Sequence, residues 1–120
     1  MLEGEELAEA VALKQGWQRL THGWWRDGYR AHCIGASKAL QHRYRPDLSI
    51  AQAWDLDGEG WDWDFSENIP DAGWLEIILC ETGHEDGIII IHTDMQLFPT
   101  KAEAYATARC RAYLKGMEVT

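Results

Sequence analysis

Lysine and arginine are absent from residues 46–99, although this stretch makes up almost half of the 120-residue chain. The same stretch has thirteen acidic side chains, whereas residues 14–45 have seven lysines and arginines and a single acid, Asp27. The formal charge is therefore −13 over 46–99 and +6 over 14–45, within a net charge of −9 for the whole chain. Such segregation creates a strong local field, and fields of this kind select partners and speed encounter.

Long apolar runs, an export signal and paired cysteines are also lacking. The longest apolar run, 87–91, is far shorter than the ~20 residues that a membrane-spanning helix needs. The first residues are acidic, where a secretory signal is basic and then apolar, so we expect no export. Cys33, Cys80 and Cys110 are an odd number without short spacing, which is typical of reduced thiols. We therefore expect a cytoplasmic protein without membrane contact.

The first half of the chain has one clear helix and one long stretch without a period. Apolar spacing predicts a helix over 2–15, with Gly16 as its stop. Residues 17–46 are predicted to be an irregular basic insert, with a short strand near 29–34 and a helical turn over 37–45. A short helix then runs to about residue 56, capped by Asp47 or Ser49.

The second half predicts three strands and a closing helix. Trp61 to Phe65 alternates apolar and acidic residues, which is typical of a half-buried strand. Residues 74–81 and 87–92 predict two more strands, and the four consecutive isoleucines are typical of a central strand. A Thr100–Glu103 capping box opens a helix that we expect to run to 115 and end at Gly116.

These elements predict one α+β domain over 1–120. Because the strands follow one another closely, the expected sheet is a mainly antiparallel meander of three or four strands. The N-terminal, middle and C-terminal helices pack against this sheet in the expected architecture.

Four segments carry a resemblance to a known family. They are residues 7–17 (LAEAVALKQGW), 47–54 (DLSIAQAW), 60–65 (GWDWDF) and 100–115 (TKAEAYATARCRAYLK). In this order they resemble the small phage proteins grouped as the phage ABA sandwich domain. The resemblance implies helices packed against a sheet, a phage or prophage origin, and no transferable catalytic residues. The basic insert around 37–45 and the length of the acidic middle depart from the family pattern.

Metal sites are not supported by the spacing of potential ligands. The series Asp55, Asp57, Glu59 and Asp62 first suggests a calcium loop. Counted from Asp55, however, an EF-hand would need an apolar residue where Asp62 stands and a glutamate where Ser66 stands. The histidines and cysteines lack the close pairs of zinc sites. We expect no metal and no cofactor.

Catalytic motifs are likewise missing, so we expect a binding protein and not an enzyme. No glycine-rich loop carries the lysine of a phosphate-binding P-loop. Most of the seven tryptophans are expected in the core. Trp24 and Trp25 are the exception, because they stand in a predicted loop beside Arg26 and Arg30, where one of the pair can serve as an exposed interface anchor.

The acidic middle is the predicted partner-binding site. Its expected contact residues, besides the Trp24–Trp25 pair, are Asp55, Asp57, Glu59, Asp62, Asp64, Glu67, Glu85 and Asp86. A surface of this charge can imitate a nucleic-acid backbone toward a basic groove, provided that the 55–59 and 82–86 segments converge. We therefore expect a non-enzymatic phage inhibitor, an anti-CRISPR protein, that occupies the basic nucleic-acid-binding site of a host effector.

Other functions remain open at this point. One is a phage accessory protein without an immune target, acting alone or as a homodimer. A second is a small metal-dependent enzyme. A third is weak RNA or DNA contact through the basic residues Arg19, Arg26, Arg30, Lys38, Arg43 and Arg45. Direct nucleic-acid binding ranks low because these basic charges can instead neutralise the acidic face within the molecule.

Overall fold

The structure, a computed structural model of the 120-residue chain, describes residues 2–35, 42–56, 61–68, 74–81 and 88–119. Side chains are described over 2–35, 42–56 and 92–115. The elements in these ranges are α1 (Gly4–Lys14), β1 (Gln18–Arg19), β2 (Trp24–Arg26), β3 (Ala31–Cys33), α2 (Ile50–Trp54), β4 (Trp61–Asn68), β5 (Trp74–Glu81), β6 (Ile88–Asp94), a 3₁₀ turn (Met95–Leu97) and α3 (Lys101–Val119). The predicted α+β class is confirmed.

Helix α1 buries one face and ends at the predicted glycine. Its fully buried side chains are those of Leu7, Ala8, Val11 and Ala12. At its end the backbone N–H of Gly16 donates to Leu13 O (3.0 Å), and that of Trp17 donates to Ala12 O (3.1 Å). This pair of bonds is a Schellman motif, which needs a left-handed residue at Gly16, and the φ angle there is +81°.

Residues 18–33 form a small antiparallel sheet in the order β1–β2–β3. The strand predicted near 29–34 is confirmed as β3, but the description of this stretch as an irregular insert is wrong. His22 and Gly23 both have positive φ, as a type I′ turn between β1 and β2 requires. Strands of two or three residues carry too little periodicity to be recognised, and the helical turn predicted over 37–45 lies largely outside the described residues.

Helix α2 begins where the sequence predicts. The Ser49 hydroxyl accepts a hydrogen bond from the backbone N–H of Gln52 at 3.3 Å, so Ser49 is the cap. Just beyond the helix, Leu56 is 2% exposed. It joins a core cluster contributed by three helical regions, which consists of Leu7, Val11, Leu56, Cys110 and Tyr113.

Strands β4, β5 and β6 form the predicted antiparallel meander, in that spatial order. The β4–β5 ladder runs from Trp61 opposite Glu81 to Asn68 opposite Trp74. The β5–β6 ladder runs on to Cys80 opposite Ile88. The isoleucine strand β6 lies at one edge of this sheet within the described chain, so its prediction as a central strand is wrong. In a meander the middle strand of the sequence, here β5, takes the centre.

Helix α3 starts at the predicted cap and continues past its predicted end. The Thr100 hydroxyl accepts a hydrogen bond from the backbone N–H of Glu103 at 3.2 Å. The helix then runs through Gly116 to Val119. One glycine inside a helix costs only about 1 kcal/mol relative to alanine, which is too little to stop a helix by itself.

Helix α3 lies between the meander and the other helices. It contacts α1 and α2, and it also contacts β5 and β6. Its buried side chains are mostly small, with Ala104, Ala106, Ala108 and Ala112 fully buried. On β6, Thr93 is buried whereas His92 is exposed. The positions in register with Thr93 therefore form the inner face of the meander, and those in register with His92 form its outer face.

Candidate functional site

The register of the meander divides the acidic positions of β4 between its two faces. Asp62 stands opposite Cys80 and Asp64 stands opposite Ile78, and both positions belong to the outer face. Glu67 stands opposite Leu75, which is in register with Thr93, so its position belongs to the inner face. The structure thus assigns Asp62 and Asp64 to one face and Glu67 to the other.

The outer face has further acidic positions that the sequence analysis did not single out. Glu76 and Asp94 share this face, because Glu76 stands opposite His92 and Asp94 opposite Trp74. The full set of outer-face positions is Asp62, Asp64, Ser66, Asn68, Trp74, Glu76, Ile78, Cys80, Ile88, Ile90, His92 and Asp94. In the sequence, Glu76 is followed by the apolar Ile77, which is consistent with positions on opposite faces of a strand. Which face is the outer one can be assigned only from the register.

Four predicted contact residues lie outside the described residues, namely Asp57, Glu59, Glu85 and Asp86. The strand ends to which their segments attach are described. Trp61, where β4 begins, pairs with Glu81, where β5 ends, and Ile88 begins β6 opposite Cys80. The 57–60 and 82–87 segments therefore join the meander at the same end. Asp55, the remaining predicted acid, is exposed directly after α2.

One acid of the 46–99 stretch belongs to the interior. Asp47 is 1% exposed, and its two carboxylate oxygens accept hydrogen bonds from Arg45 Nε (2.9 Å) and Nη2 (2.8 Å). The hydrogen bonds that Arg45 donates to the Asp47 carboxylate raise the pKa of Arg45 above its already high ordinary value. Thr107 of α3 donates its hydroxyl to the backbone carbonyl of Asp47 at 2.9 Å. Asp47 thus fixes the start of α2 against α3 and is unavailable to a partner.

Most of the described ion pairs of the arginines use acids from the N-terminal region. Arg19 pairs with Glu9, and Arg111 lies 4.0 Å from Glu3. Arg45 adds Glu5 at 4.0 Å to its pair with Asp47. In the part of the chain with described side chains, Asp47 is the one member of the 46–99 acids that an arginine engages in these pairs.

The two adjacent tryptophans have different environments. Trp25 is fully buried against α1, and the guanidinium carbon of Arg19 lies 5.1 Å from its ring centroid. Trp25 therefore cannot act as the exposed anchor, because alternate residues of a strand point to opposite faces. Trp24 is half-buried, and its ring lies 5.9 Å from the ring of His42 in a tilted arrangement.

Trp24 lines a cleft of about 580 Å³ between β3 and α2. We call it the basic cleft, and its principal side chains are Trp24, Arg30, His32, His42, Arg43 and Gln52. A shallower depression of about 310 Å³ continues from Arg43 past Arg45 to Ser49. Arg30, Arg43 and Arg45, three of the basic residues that the sequence suggests for weak RNA or DNA contact, thus line this cleft and the depression beside it.

Backbone pairing creates the basic cleft. Arg43 forms a parallel bridge with Cys33, and the N–H of Tyr44 donates to Cys33 O at 2.9 Å. Gln52 then holds the same segment, since its Nε2 donates to Arg43 O (2.8 Å) and its Oε1 accepts from the N–H of Arg45 (2.6 Å). These contacts join three separate pieces of the chain, β3, the 43–45 segment and α2, so no single local motif in the sequence indicates the cleft.

Asp27 organises the opposite wall of the cleft. Its Oδ1 accepts the backbone N–H groups of Tyr29 and Arg30, both at 2.8 Å, and its Oδ2 lies 2.8 Å from His32 Nε2. The bond from Arg30, followed by that from His32, holds the pKa of Asp27 well below its usual range. The His32 ring stacks on Trp17 with centroids 4.5 Å apart, so its orientation is fixed from two sides.

Cysteine thiols and potential metal ligands are both present among the described side chains. Cys33 and Cys110 are buried thiols, and burial raises the pKa of Cys110 far above its ordinary value, which disfavours the reactive thiolate. Over the described residues, no three His, Cys, Asp or Glu side chains come together as metal ligands would. No helix in that part of the chain combines the length and apolar character needed to cross a membrane.

Comparison with known proteins gave no match to any family model, curated protein or solved structure. The resemblance to the phage ABA sandwich domain therefore stays a prediction from the sequence.

Proposed function

We propose that this protein is a non-enzymatic phage inhibitor that acts in the cytoplasm of an infected bacterial host. Its acidic meander occupies the basic nucleic-acid-binding surface of a host protein, and we take a CRISPR effector complex as the partner. The single observation that carries the proposal is the run of thirteen acids over 46–99 without one lysine or arginine.

The strand register supports this proposal. The outer face of β4–β6 has four acidic positions, at Asp62, Asp64, Glu76 and Asp94. The two acid-bearing segments 57–60 and 82–87 attach to the end of the meander where Asp62 lies. These positions come from separate parts of the chain, yet they are compatible with one continuous acidic surface.

The spacing of the acids limits how closely they imitate DNA. Alternate positions on a strand are about 6.6 Å apart. Duplex DNA presents one phosphate charge per ~1.7 Å of axis when both strands are counted. Strand β4 alone therefore gives too low a charge density, and the proposal needs the acids of the 57–60 and 82–87 segments as well. In this function the acids steer association and set its salt dependence.

Apolar positions on the same face provide a second component of binding. Ile78, Ile88 and Ile90 share the outer face with the acids. Protein interfaces commonly combine an apolar centre with a charged or polar rim. The acids would then determine the encounter rate and the partner, while the apolar centre would determine the lifetime of the complex.

The test is a pull-down from a CRISPR-bearing host with the tagged full chain and two charge variants. The first variant, D57N/D62N/D64N/E85Q, removes four acids of the proposed surface. The matched control, E3Q/E6Q/E9Q/E103Q, removes four acids elsewhere and gives the same net charge. We expect the wild type and the control to recover the effector at low salt, and the first variant to lose it. Equal recovery by both variants would contradict the electrostatic mechanism.

A phage accessory protein that self-associates is the second candidate, and the apolar outer-face positions Ile78, Ile88 and Ile90 favour it. In the same pull-down, this function predicts recovery of the protein alone. A dimer in analytical ultracentrifugation that dissociates on Ile90→Lys substitution would support it. A metal-dependent enzyme, in contrast, predicts stoichiometric metal in the purified protein by elemental analysis.

A further inference from the structure

The basic cleft plays no part in the acidic docking surface, and its chemistry indicates a different ligand. We propose that it binds a phosphorylated nucleoside, with the phosphates on Arg30 and Arg43 and the base against Trp24. The juxtaposition of two arginines, an aromatic ring and two histidines around a cleft of about 580 Å³ carries this assignment. Ligand sites of small molecules usually have volumes of roughly 300–1,000 Å³.

The two arginines of the cleft differ from the other arginines described above. Arg19, Arg45 and Arg111 each lie within ion-pair distance of a carboxylate. Arg30 and Arg43 are exposed, and neither has an acidic partner among the side chains that the structure describes. A guanidinium group offers several N–H donors in a planar fork that matches phosphate oxygens in pairs. Two such groups at one cleft form a phosphate site in a chain of net charge −9.

The backbone that carries both arginines is held in place before any ligand arrives. Asp27 accepts the N–H of Arg30, and Gln52 accepts the N–H of Arg45 while donating to the carbonyl of Arg43. Preorganisation of this kind lowers the entropy cost of binding. Gln52 therefore positions the arginine segment and also lines the cleft.

Trp24 provides the surface for the base. Its ring is half-buried, so one part is anchored while another faces the cleft, and His42 lies beside it at 5.9 Å. Bases stack on aromatic side chains without strong sequence preference, because every base has a π-face. We therefore assign the general class of nucleotides and not one particular base.

The overall charge favours a short ligand over a polynucleotide. A strand that extends beyond the cleft would bring further phosphates toward a molecule whose 46–99 stretch has a charge of −13. Repulsion grows with each added phosphate, whereas a mononucleotide keeps its charges next to Arg30 and Arg43. A longer strand should thus bind no more tightly than a mononucleotide.

The test is isothermal titration calorimetry of the full chain at low salt with ADP as the probe. Adenosine, which lacks phosphates, and inorganic pyrophosphate, which lacks the base, measure the contributions of base and phosphates to the affinity separately. A single-stranded hexanucleotide tests whether a longer ligand binds more tightly. We expect one ADP per chain, weaker binding of adenosine and of pyrophosphate, and no gain in affinity for the hexanucleotide. Failure of ADP to bind, or tighter hexanucleotide binding, would overturn the proposal.

Three variants locate the site. R30Q and R43Q should each raise the ADP dissociation constant about tenfold or more, since each removes charge-assisted hydrogen bonds to phosphate. R26Q is the matched control, because Arg26 is an exposed arginine of the same sheet that does not line the cleft. W24A should reduce the affinity for ADP to that for pyrophosphate. Equal loss in R26Q and the cleft variants would overturn the assignment, and circular dichroism of each variant checks folding.

Discussion

The small sheet β1–β3 and the meander β4–β6 are built and charged in opposite ways. The small sheet has strands of two or three residues, paired by short antiparallel ladders, within a stretch of charge +6. The meander has strands of seven or eight residues joined by continuous ladders, in a stretch without lysine or arginine. Basic residues therefore dominate the stretch that contains the small sheet, and acidic residues dominate the stretch that contains the meander.

The first prediction concerns the dependence of the small sheet on one buried side chain. Trp25→Ala should lower the free energy of unfolding by about 3–5 kcal/mol, because truncation of a fully buried tryptophan leaves a large cavity. Urea unfolding measures this loss. Tyr29→Ala, at a 95% exposed aromatic residue two positions beyond Asp27, is the control and should cost no more than about 0.5 kcal/mol. Similar losses in the two variants would show that β1–β3 is not packed as described.

The second prediction concerns Asp47, the acid of the 46–99 stretch that is buried and paired with Arg45. Asp47→Ala should cost about 3 kcal/mol of unfolding free energy, because it leaves Arg45 largely buried without its hydrogen-bond partner. Glu9→Ala breaks the exposed pair with Arg19 and should cost less than about 1 kcal/mol. If Asp47→Ala lowers the free energy of unfolding as little as Glu9→Ala does in urea, the Asp47–Arg45 pair contributes no more than an exposed ion pair, which contradicts its burial.

The third prediction concerns the turn that allows the small sheet to form. Gly23→Ala combines a positive φ of +78° with a Cβ only 2.6 Å from Ile34 O, so we expect a loss of about 2–3 kcal/mol. Gly16 has a similar φ of +81°, but a Cβ added there has no neighbouring atom within 4 Å. Gly16→Ala should therefore cost only the backbone strain, about 1–2 kcal/mol of unfolding free energy. Thermal and urea unfolding of both variants should rank them in this order. The reverse order would contradict the hairpin geometry.

The fourth prediction concerns Asp27, the single acid of the basic stretch. Its pKa is depressed in the folded protein, so its ionised form contributes stability that is present above the unfolded-state pKa of about 3.9. That contribution is lost as the pH falls below this value toward the folded-state pKa. In Asp27→Asn the fall in urea midpoint between about pH 4 and pH 2 should therefore be shallower than in the wild type. An unchanged slope would show that the Asp27 bonds do not contribute.

The sequence predicts the meander better than the small sheet, for a physical reason. Strand β4 is long enough to show the apolar–acidic alternation of Trp61–Phe65, and β6 is marked by four consecutive β-branched isoleucines. Strands β1–β3 are too short for this, although the glycines at positions 23 and 28 mark their turns. The edge position of β6 follows from the order of the meander and not from its run of isoleucines, and α3 passes Gly116 because one glycine costs too little to end a helix.

The two candidate sites also differ in how far the sequence predicts them. Charge segregation along the chain indicates the acidic surface directly, but the face of each acid depends on the register, as Glu67 and Glu76 illustrate. The basic cleft depends on the bridge between Cys33 and Arg43 and on the hydrogen bonds of Gln52. These contacts join separate elements of the fold, so the cleft becomes visible only in the folded chain.

The most direct test of the central claim is the association rate between this protein and the purified effector at increasing ionic strength. The wild type, D57N/D62N/D64N/E85Q and E3Q/E6Q/E9Q/E103Q are compared by stopped-flow mixing. If the meander acids dock on a cationic surface, the first variant associates at least about tenfold more slowly at low salt and shows a flatter salt dependence, while the control follows the wild type. Identical rates and salt dependences for the three proteins would show that the meander acids do not dock on a cationic surface.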